Sequence, residues 1–148
     1  MNVVTEIPYP GSTAEAPEIL DLACAYHRAA TALYETASKS VPLSRAPVRM
    51  CAIHAIELYV NAFLRHEGVS PREIRGRLHN LSDPRLVSTL RLRVKTAQHL
   101  ETLCEKREYL ISRYGPELTS EHSQLNRLTA TLEEVAAKVE RYLASAGA

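Results

Sequence analysis

The chain contains a stretch, between residues 46 and 67, that is apolar on almost every side of the helix it predicts. From position 53 it reads IHAIELYVNAFL, and Gly68 follows where a helix C-terminus commonly places glycine. A helix that is apolar all round is stable only inside a larger helical structure. The stretch therefore predicts a buried central helix, which other helices of the chain must surround.

Three more long helices are predicted where apolar residues recur at steps of three and four. They cover residues 14–40, 84–114 and 119–144, and Pro42 and Gly115 mark the ends of the first two. Residues 70–73, Ser-Pro-Arg-Glu, have the form of a capping box and predict a short connecting helix up to about residue 81. We therefore expect an all-α, up-down helical bundle of four long helices plus one short connecting helix.

Length and composition predict one domain. The 148 residues are 45% hydrophobic and 24% charged, as in an ordinary globular domain. Residues 1–12, rich in proline and glycine, predict a flexible N-terminal arm, and residues 13–146 a single helical-bundle domain with Thr13 as the first N-cap. Neither a basic leader nor a long apolar run is present, so we expect a cytoplasmic protein without a membrane partner.

The charges are unevenly distributed, although the formal net charge is only +1. Between Arg72 and Lys95 there are seven basic and two acidic residues, a local charge of +5 (seven minus two). Such a segment attracts phosphate groups unless acidic residues of other helices neutralise it. The sequence leaves both possibilities open.

Several kinds of site are not expected. The five glycines do not form a phosphate-binding loop, and the six histidines form no HExxH pair. Glu-x-x-His pairs, which hold metals in helical bundles, are also absent. We therefore predict no metal, no cofactor and no catalytic residue.

A line of four polar residues interrupts the apolar central helix. His54, Glu57, Asn61 and Arg65 follow one another at steps of three, four and four, which places them along one face. If this face is buried, the carboxylate needs a partner such as Arg107 or Arg113. Otherwise the line is simply the side of the helix that faces solvent.

Two later segments carry further polar groups. Residues 76–81 read GRLHNL, and His79 and Asn80 in this segment either cap the end of the short helix or contact a ligand. Tyr109 and Arg113 lie one turn apart on the next long helix, and Tyr114 follows them at its end. An arginine there would also interact favourably with the helix dipole without any ligand.

Taken in order, these segments resemble the HEPN family (higher eukaryote and prokaryote nucleotide-binding domains). Its members show an Ile-Glu helix with a lysine, a Gly-His-Asp-Leu segment and a late Ala-Arg-Tyr-Pro helix end. The matching residues here are IELYVNAFL at 56–64, GRLHNL at 76–81 and ISRYGP at 111–116. The chain departs from this pattern at Asn61 in place of lysine, at Arg77-Leu78 inserted between Gly76 and His79, at Asn80 in place of aspartate and at the inserted Gly115.

The resemblance implies a function as well as a fold. Members of the non-catalytic branch are helical, usually homodimeric, and bind nucleotides or related phosphates, or pair with a minimal nucleotidyltransferase. This chain would then be a non-enzymatic HEPN-like bundle with such a ligand or partner. The ligand-binding residues expected on this basis are Glu57, Asn61, His79, Asn80, Tyr109, Arg113 and Tyr114.

Two other functions are compatible with the same residues. Some HEPN proteins are metal-independent ribonucleases, often toxins of toxin–antitoxin pairs, and carry an arginine shortly before a histidine. Three pairs have this spacing here, Arg49/His54, Arg72/His79 and Arg93/His99, but none has the uncharged polar residue that usually follows the arginine. A plain protein-interaction dimer without a small ligand is the third possibility.

Overall fold

The computed structural model describes residues 7–38 and 40–146 of the chain. Over these residues the fold is all-helical, which confirms the all-α part of the prediction, but not the up-down bundle of four long helices. Two 3₁₀ turns, Pro42–Arg45 and Pro116–Glu121, accompany the α-helices. The α-helices are α1 (Ala16–Tyr34), α2 (Ala46–His66), α3 (Pro71–Arg75), α4 (Pro84–Leu90), α5 (Val94–Glu105), α6 (Glu108–Tyr114) and α7 (Leu125–Ala146).

Helix α2 is the buried centre, as its composition predicts. Ile56, Tyr59, Phe63 and Leu64 have no exposed surface. Helices α1 and α7 pack along α2 on two sides, and α6 covers a third. A buried aromatic side chain adds about 3–5 kcal/mol to the free energy of unfolding relative to alanine. The packing of the other helices against α2 therefore stabilises the fold.

The first helix is shorter than the predicted range 14–40. Its N-cap is Glu15 instead of Thr13, and the Glu15 backbone N–H donates to the Glu18 carboxylate over 3.1 Å. The helix ends at Tyr34. There the hydroxyl of Thr36 donates to the carbonyl of Leu33 (2.7 Å), and this side-chain hydrogen bond competes with those of a further helical turn.

The prediction of one helix over residues 84–114 is wrong, because the chain breaks into α4, α5 and α6. Arg91 and Arg107 have left-handed backbone conformations, with φ of 53° and 50°. The first break buries Leu92 in the core, and Glu134 of α7 accepts the backbone N–H of Arg93 over 2.8 Å. These tertiary contacts offset the local cost of a left-handed non-glycine residue, about 1–2 kcal/mol.

Two more predicted boundaries are corrected. The short connecting helix ends at Arg75, not near residue 81, and residues 76–83 form an irregular segment. Helix α7 begins at Leu125, not at Thr119. Before it, the backbone of Ser123 is taken by tertiary partners: its carbonyl accepts from Arg49 (2.6 Å) and its N–H donates to Glu108 (3.0 Å).

Part of the predicted N-terminal arm, residues 1–6, lies outside the described residues. Further along, the chain makes a turn in which the backbone N–H of Ser12 donates to the carbonyl of Tyr9 (2.9 Å), and Gly11 takes a φ of 91° that suits glycine. The Arg75 guanidinium lies over the Tyr9 ring, 4.5 Å from its centre. The second half of the arm therefore lies against the bundle. Within the described part of the chain, no helix has the length and hydropathy needed to cross a membrane.

Candidate functional site

The polar line of α2 forms the floor of a cleft. His54, Glu57, Asn61 and Arg65 all line one cavity of about 520 Å³, which we call the first cleft. Its walls are residues 9–14, the first half of α1 and residues 71–79. The line is thus neither fully buried nor simply the solvent side of α2, which settles the choice that the sequence left open.

A hydrogen-bonded pair, Glu57 and His79, lies at one end of this cleft. His79 Nδ1 is 2.8 Å and 3.2 Å from the two carboxylate oxygens of Glu57. The Glu57 side chain is 16% exposed and that of His79 is 47% exposed. Because an ionised carboxylate only accepts, Nδ1 carries the proton, and Nε2 faces outward without a hydrogen-bond partner among the described residues.

The backbone at His79 is strained. Leu78 and His79 are consecutive non-glycine residues with positive φ, 51° and 68°. The His79 ring also packs against the ring of Tyr109, with centroids 5.0 Å apart. Strain of this kind, about 1 kcal/mol or more for each residue, occurs most often at binding sites. The local conformation thus presents an exposed Leu78 and an oriented imidazole to the cleft.

His54 separates the first cleft from a second one. Its ring packs edge-on against Tyr26, with centroids 4.5 Å apart, and its Nδ1 is 4.0 Å from Glu57 Oε2. Burial lowers the pKa of His54; Glu57 opposes this shift, and the charges of Arg113 and His79 add to it. Arg113 and His79 are therefore close enough to His54 to act on its charge.

The second cleft, also of about 520 Å³, lies between α1, α2 and α6. Tyr26, Met50 and Tyr114 give it an aromatic and apolar lining, and Arg113 supplies a positive charge. The Tyr114 side chain is 75% exposed. Among the described side chains, Arg113 has no hydrogen-bond or ion-pair partner, so its guanidinium is available to a ligand.

The predicted site residues are divided between these places. Glu57, Asn61 and His79 line the first cleft; Arg113 and Tyr114 line the second; and Tyr109 supports the His79 ring from behind. Asn80 lines neither cleft. Its side-chain oxygen accepts from the backbone N–H of Ser82 (3.0 Å) and from the thiol of Cys104 (3.4 Å), so it shapes the 76–83 segment.

Some cleft residues were not among the predicted site residues. His54 and Arg65 belong to the polar line of α2, and their spacing was a signal for them. Tyr9 and Arg75 come from the arm and from the end of α3, and no sequence pattern joins them. Their contact arises only because the arm folds back over α3.

The basic segment 72–95 is partly neutralised. Arg77 and Arg85 both form ion pairs with Asp83, at 2.6 Å and 3.1 Å, and Arg75 stacks on Tyr9. Of the arginines and lysines of this segment, only Arg75 lines the first cleft. The segment therefore contributes to the cleft locally, and the idea of one continuous basic face is not supported.

A second group of polar and ionisable residues is buried, and we call it the buried network: Arg49, His99, Glu108 and Ser123. Glu108 accepts from both the backbone N–H and the hydroxyl of Ser123, at 3.0 Å and 3.1 Å. His99 Nε2 lies 2.9 Å from the Ser123 hydroxyl. Arg49, His99 and Glu108 are at most 6% exposed, and none lines either cleft.

The described residues contain no group of three His, Cys, Asp or Glu side chains placed to hold a metal ion. Comparisons with protein-family models, with curated proteins and with solved structures find no match for this chain. Its function therefore has to be inferred from the clefts themselves.

Proposed function

We propose that this chain is a non-enzymatic, HEPN-like helical bundle that binds a nucleotide-like, phosphate-bearing ligand in the first cleft. One observation carries the proposal: the polar line of α2 is the floor of a cleft, and Glu57 and His79 meet there. Small-molecule sites are concave and mainly apolar, with a few polar groups that fix the orientation of the ligand. The first cleft has this composition.

The cleft offers complementary groups to each part of such a ligand. Ile19, Leu58 and Ile74 provide apolar walls for a flat base. His79 provides a donor or acceptor at Nε2, and Asn61 an amide for polar edges. A phosphate beside His54 would also attract Arg113, since both residues line the second cleft.

The buried network bears on the ribonuclease alternative. Of the three Arg/His pairs, Arg49 is 4% exposed and donates to the backbone, and His99 is 6% exposed. A histidine that acts on the ribose hydroxyl must be within hydrogen-bond reach of it, which these positions do not allow. Only the pair Arg72/His79 has an exposed histidine. The open clefts thus favour binding over cleavage.

The HEPN-like bundle is proposed in a modified form, in which the third long helix is divided into α4, α5 and α6. We keep the homodimer as a prediction. Met50 and Tyr114 are exposed apolar residues that line the second cleft and would suit a protein partner, either a second copy or a nucleotidyltransferase. Sedimentation velocity of the purified chain measures the oligomeric state directly.

Calorimetric titration with nucleoside monophosphates tests the ligand. We expect binding of at least one nucleotide, with affinity reduced about tenfold or more in Arg113→Ala, which removes a charge-assisted contact, and in His79→Ala, which removes a hydrogen bond. Arg141→Ala, at an exposed arginine of α7 that lines neither cleft, is the matched control and should bind normally. If no nucleotide produces heat at high micromolar protein, the ligand proposal is wrong.

The ribonuclease alternative needs its own experiment. Total RNA is incubated with the protein in EDTA, and cleavage is followed on a gel. We expect intact RNA. Cleavage that disappears in His79→Ala but persists in Arg141→Ala would show an enzyme instead of a binding protein.

A further inference from the structure

The outer face of α1 is largely apolar, although this helix lies at the surface of the bundle. From Leu22 to Tyr34, a stretch of thirteen residues, Arg28 is the only aspartate, glutamate, lysine or arginine. Leu22 is 49% exposed, and Ala25 and Ala32 are also exposed. A helix at the surface of a globular protein normally turns charged and polar residues to solvent. The composition of this face is therefore typical of a surface that another helix covers.

The apolar residues of this face form one line along the helix. Leu22, Ala25, Ala29 and Ala32 follow one another at steps of three and four. Ala23, on the other side of α1, has no exposed surface and belongs to the core. Because alanine side chains are small, they allow a second helix axis to approach to about 8 Å. The outer face of α1 can thus accept a closely packed helix.

Two residues of opposite charge, Asp21 and Arg28, lie along one edge of this face. They are seven residues apart, which is about two turns, so they lie above one another with Ala25 near the midpoint. Both are exposed. Among the side chains that the structure describes, neither forms an ion pair. Each end of the edge therefore offers a charge that a partner can neutralise.

A second copy of the same face has the complementary charges. When two α1 helices pack antiparallel about a two-fold axis at Ala25, the same edges meet, and Asp21 of each copy lies beside Arg28 of the other. A parallel pair would place Asp21 beside Asp21 and Arg28 beside Arg28, which is repulsive. The charges of this edge thus favour a second copy of the chain, in the antiparallel orientation.

We propose that the chain forms a homodimer through the outer face of α1, with the two helices antiparallel and Ala25 at the two-fold axis. This inference rests on the homodimer of the proposed function and gives that homodimer a surface. One pair of helices buries less than the about 800 Å² per partner of a standard interface, so the dimer dissociates in the micromolar range. Neither Asp21 nor Arg28 lines a cleft, so dimer formation can be tested apart from ligand binding.

Reversed charges test the pairing, with sedimentation velocity at increasing concentration as the measurement. Asp21→Arg and Arg28→Asp each bring like charges together at both ends of the interface, so each variant alone should dimerise about tenfold more weakly than the wild type. An equimolar mixture of the two variants should associate as the wild type does, because opposite charges meet in the heterodimer. Arg141→Asp, at an exposed arginine of α7, is the control and should leave the dissociation constant unchanged.

Cysteine substitutions test the register on the same helix. Ala25→Cys places a thiol at the two-fold axis, so oxidation with copper phenanthroline should link two copies by a disulfide, seen on a non-reducing gel. Ala32→Cys lies seven residues further along, which separates the two thiols by about 21 Å, so it should not cross-link. The wild-type chain, with its free cysteines Cys24, Cys51 and Cys104, shows the background.

The outcomes distinguish this surface from the proposed function. If the wild type is a dimer that both charge-reversed variants retain, or if Ala32→Cys cross-links as readily as Ala25→Cys, the α1 surface is wrong and the homodimer forms through another face. A mixture that associates no better than its components also contradicts the pairing of Asp21 with Arg28. If the wild type stays monomeric at high micromolar concentration, both the surface and the homodimer fail, while nucleotide titration still tests the ligand.

Discussion

The first cleft and the buried network are built from the same kinds of residue, yet they differ in access to solvent. Each contains an arginine, a histidine and a glutamate from well-separated parts of the chain. Glu57 and His79 leave Nε2 open to the cleft, whereas Glu108 is fully buried beside Ser123. Residue type alone therefore does not mark a binding site; the open hydrogen-bonding capacity of the groups does.

The comparison assigns different roles to the two regions. A charged group in the buried network has lost its hydration, so removing its partner leaves an uncompensated charge in the interior. A charged group in the cleft keeps water, so removing its partner costs little stability but changes what the cleft binds. Substitutions should consequently separate the regions into one that stabilises the fold and one that contacts ligand.

The largest expected difference comes from matched alanine substitutions. Glu108→Ala should lower the free energy of unfolding by about 3 kcal/mol, since it leaves the Ser123 N–H and the nearby charge of Arg49 buried without a carboxylate. Glu57→Ala should lower it by less than about 1 kcal/mol. Urea denaturation followed by circular dichroism measures both. Equal losses would remove the distinction between the two regions.

The free energy of unfolding, measured as a function of pH, tests whether His99 of the buried network is as inaccessible to solvent as the structure indicates. Burial lowers the pKa of His99 to about 4, and the charges of Arg127 and Arg49 contribute. The unfolded chain, with an ordinary imidazole near 6.5, binds the proton more tightly. The resulting stability is complete above pH 6.5 and is lost as the pH falls toward 4, by on the order of 2–3 kcal/mol.

The control for this titration is a pair of glutamine substitutions. His99→Gln removes the titrating group while keeping a polar side chain beside Thr131, and should flatten the loss of stability between pH 6.5 and pH 4. His66→Gln, at an exposed position on α2, should leave the slope as in the wild type. A slope that is unaffected by His99→Gln would contradict the assignment of the shift to the buried network.

Much of the fold follows from local patterns in the sequence. The burial of α2 could be predicted from its apolar residues on all sides, and the start of α3 from Ser70-Pro71. Both signals lie within a few neighbouring residues of the sequence. The breaks at Arg91 and Arg107 could not be predicted, since neither glycine nor proline marks them. The break at Arg91 depends on the burial of Leu92 and on Glu134, forty-one residues from Arg93, and such tertiary contacts leave no local signal.

The site was predictable to a similar extent. The spacing of His54, Glu57, Asn61 and Arg65 placed four groups on one face, and the structure makes this face the floor of a cleft. The contact of His79 with Glu57 depends on the left-handed backbone conformations of Leu78 and His79. Non-glycine residues disfavour this conformation, so the sequence does not predict it. The contribution of Tyr9 and Arg75 depends on how the arm folds back, which periodicity does not describe.

The smallest expected effects concern the backbone strain beside His79. Leu78 and Arg91 both have positive φ and exposed side chains. Glycine adopts this conformation freely, so Leu78→Gly and Arg91→Gly should each raise the free energy of unfolding by about 0.5–1 kcal/mol. Only Leu78 lines the first cleft, so only Leu78→Gly should weaken nucleotide binding, about threefold through lost apolar contact. Thermal melts and calorimetric titrations of the two variants measure both quantities. If Arg91→Gly weakens binding as much as Leu78→Gly, the effect comes from general loosening of the backbone, and the strained segment has no particular role in holding a ligand.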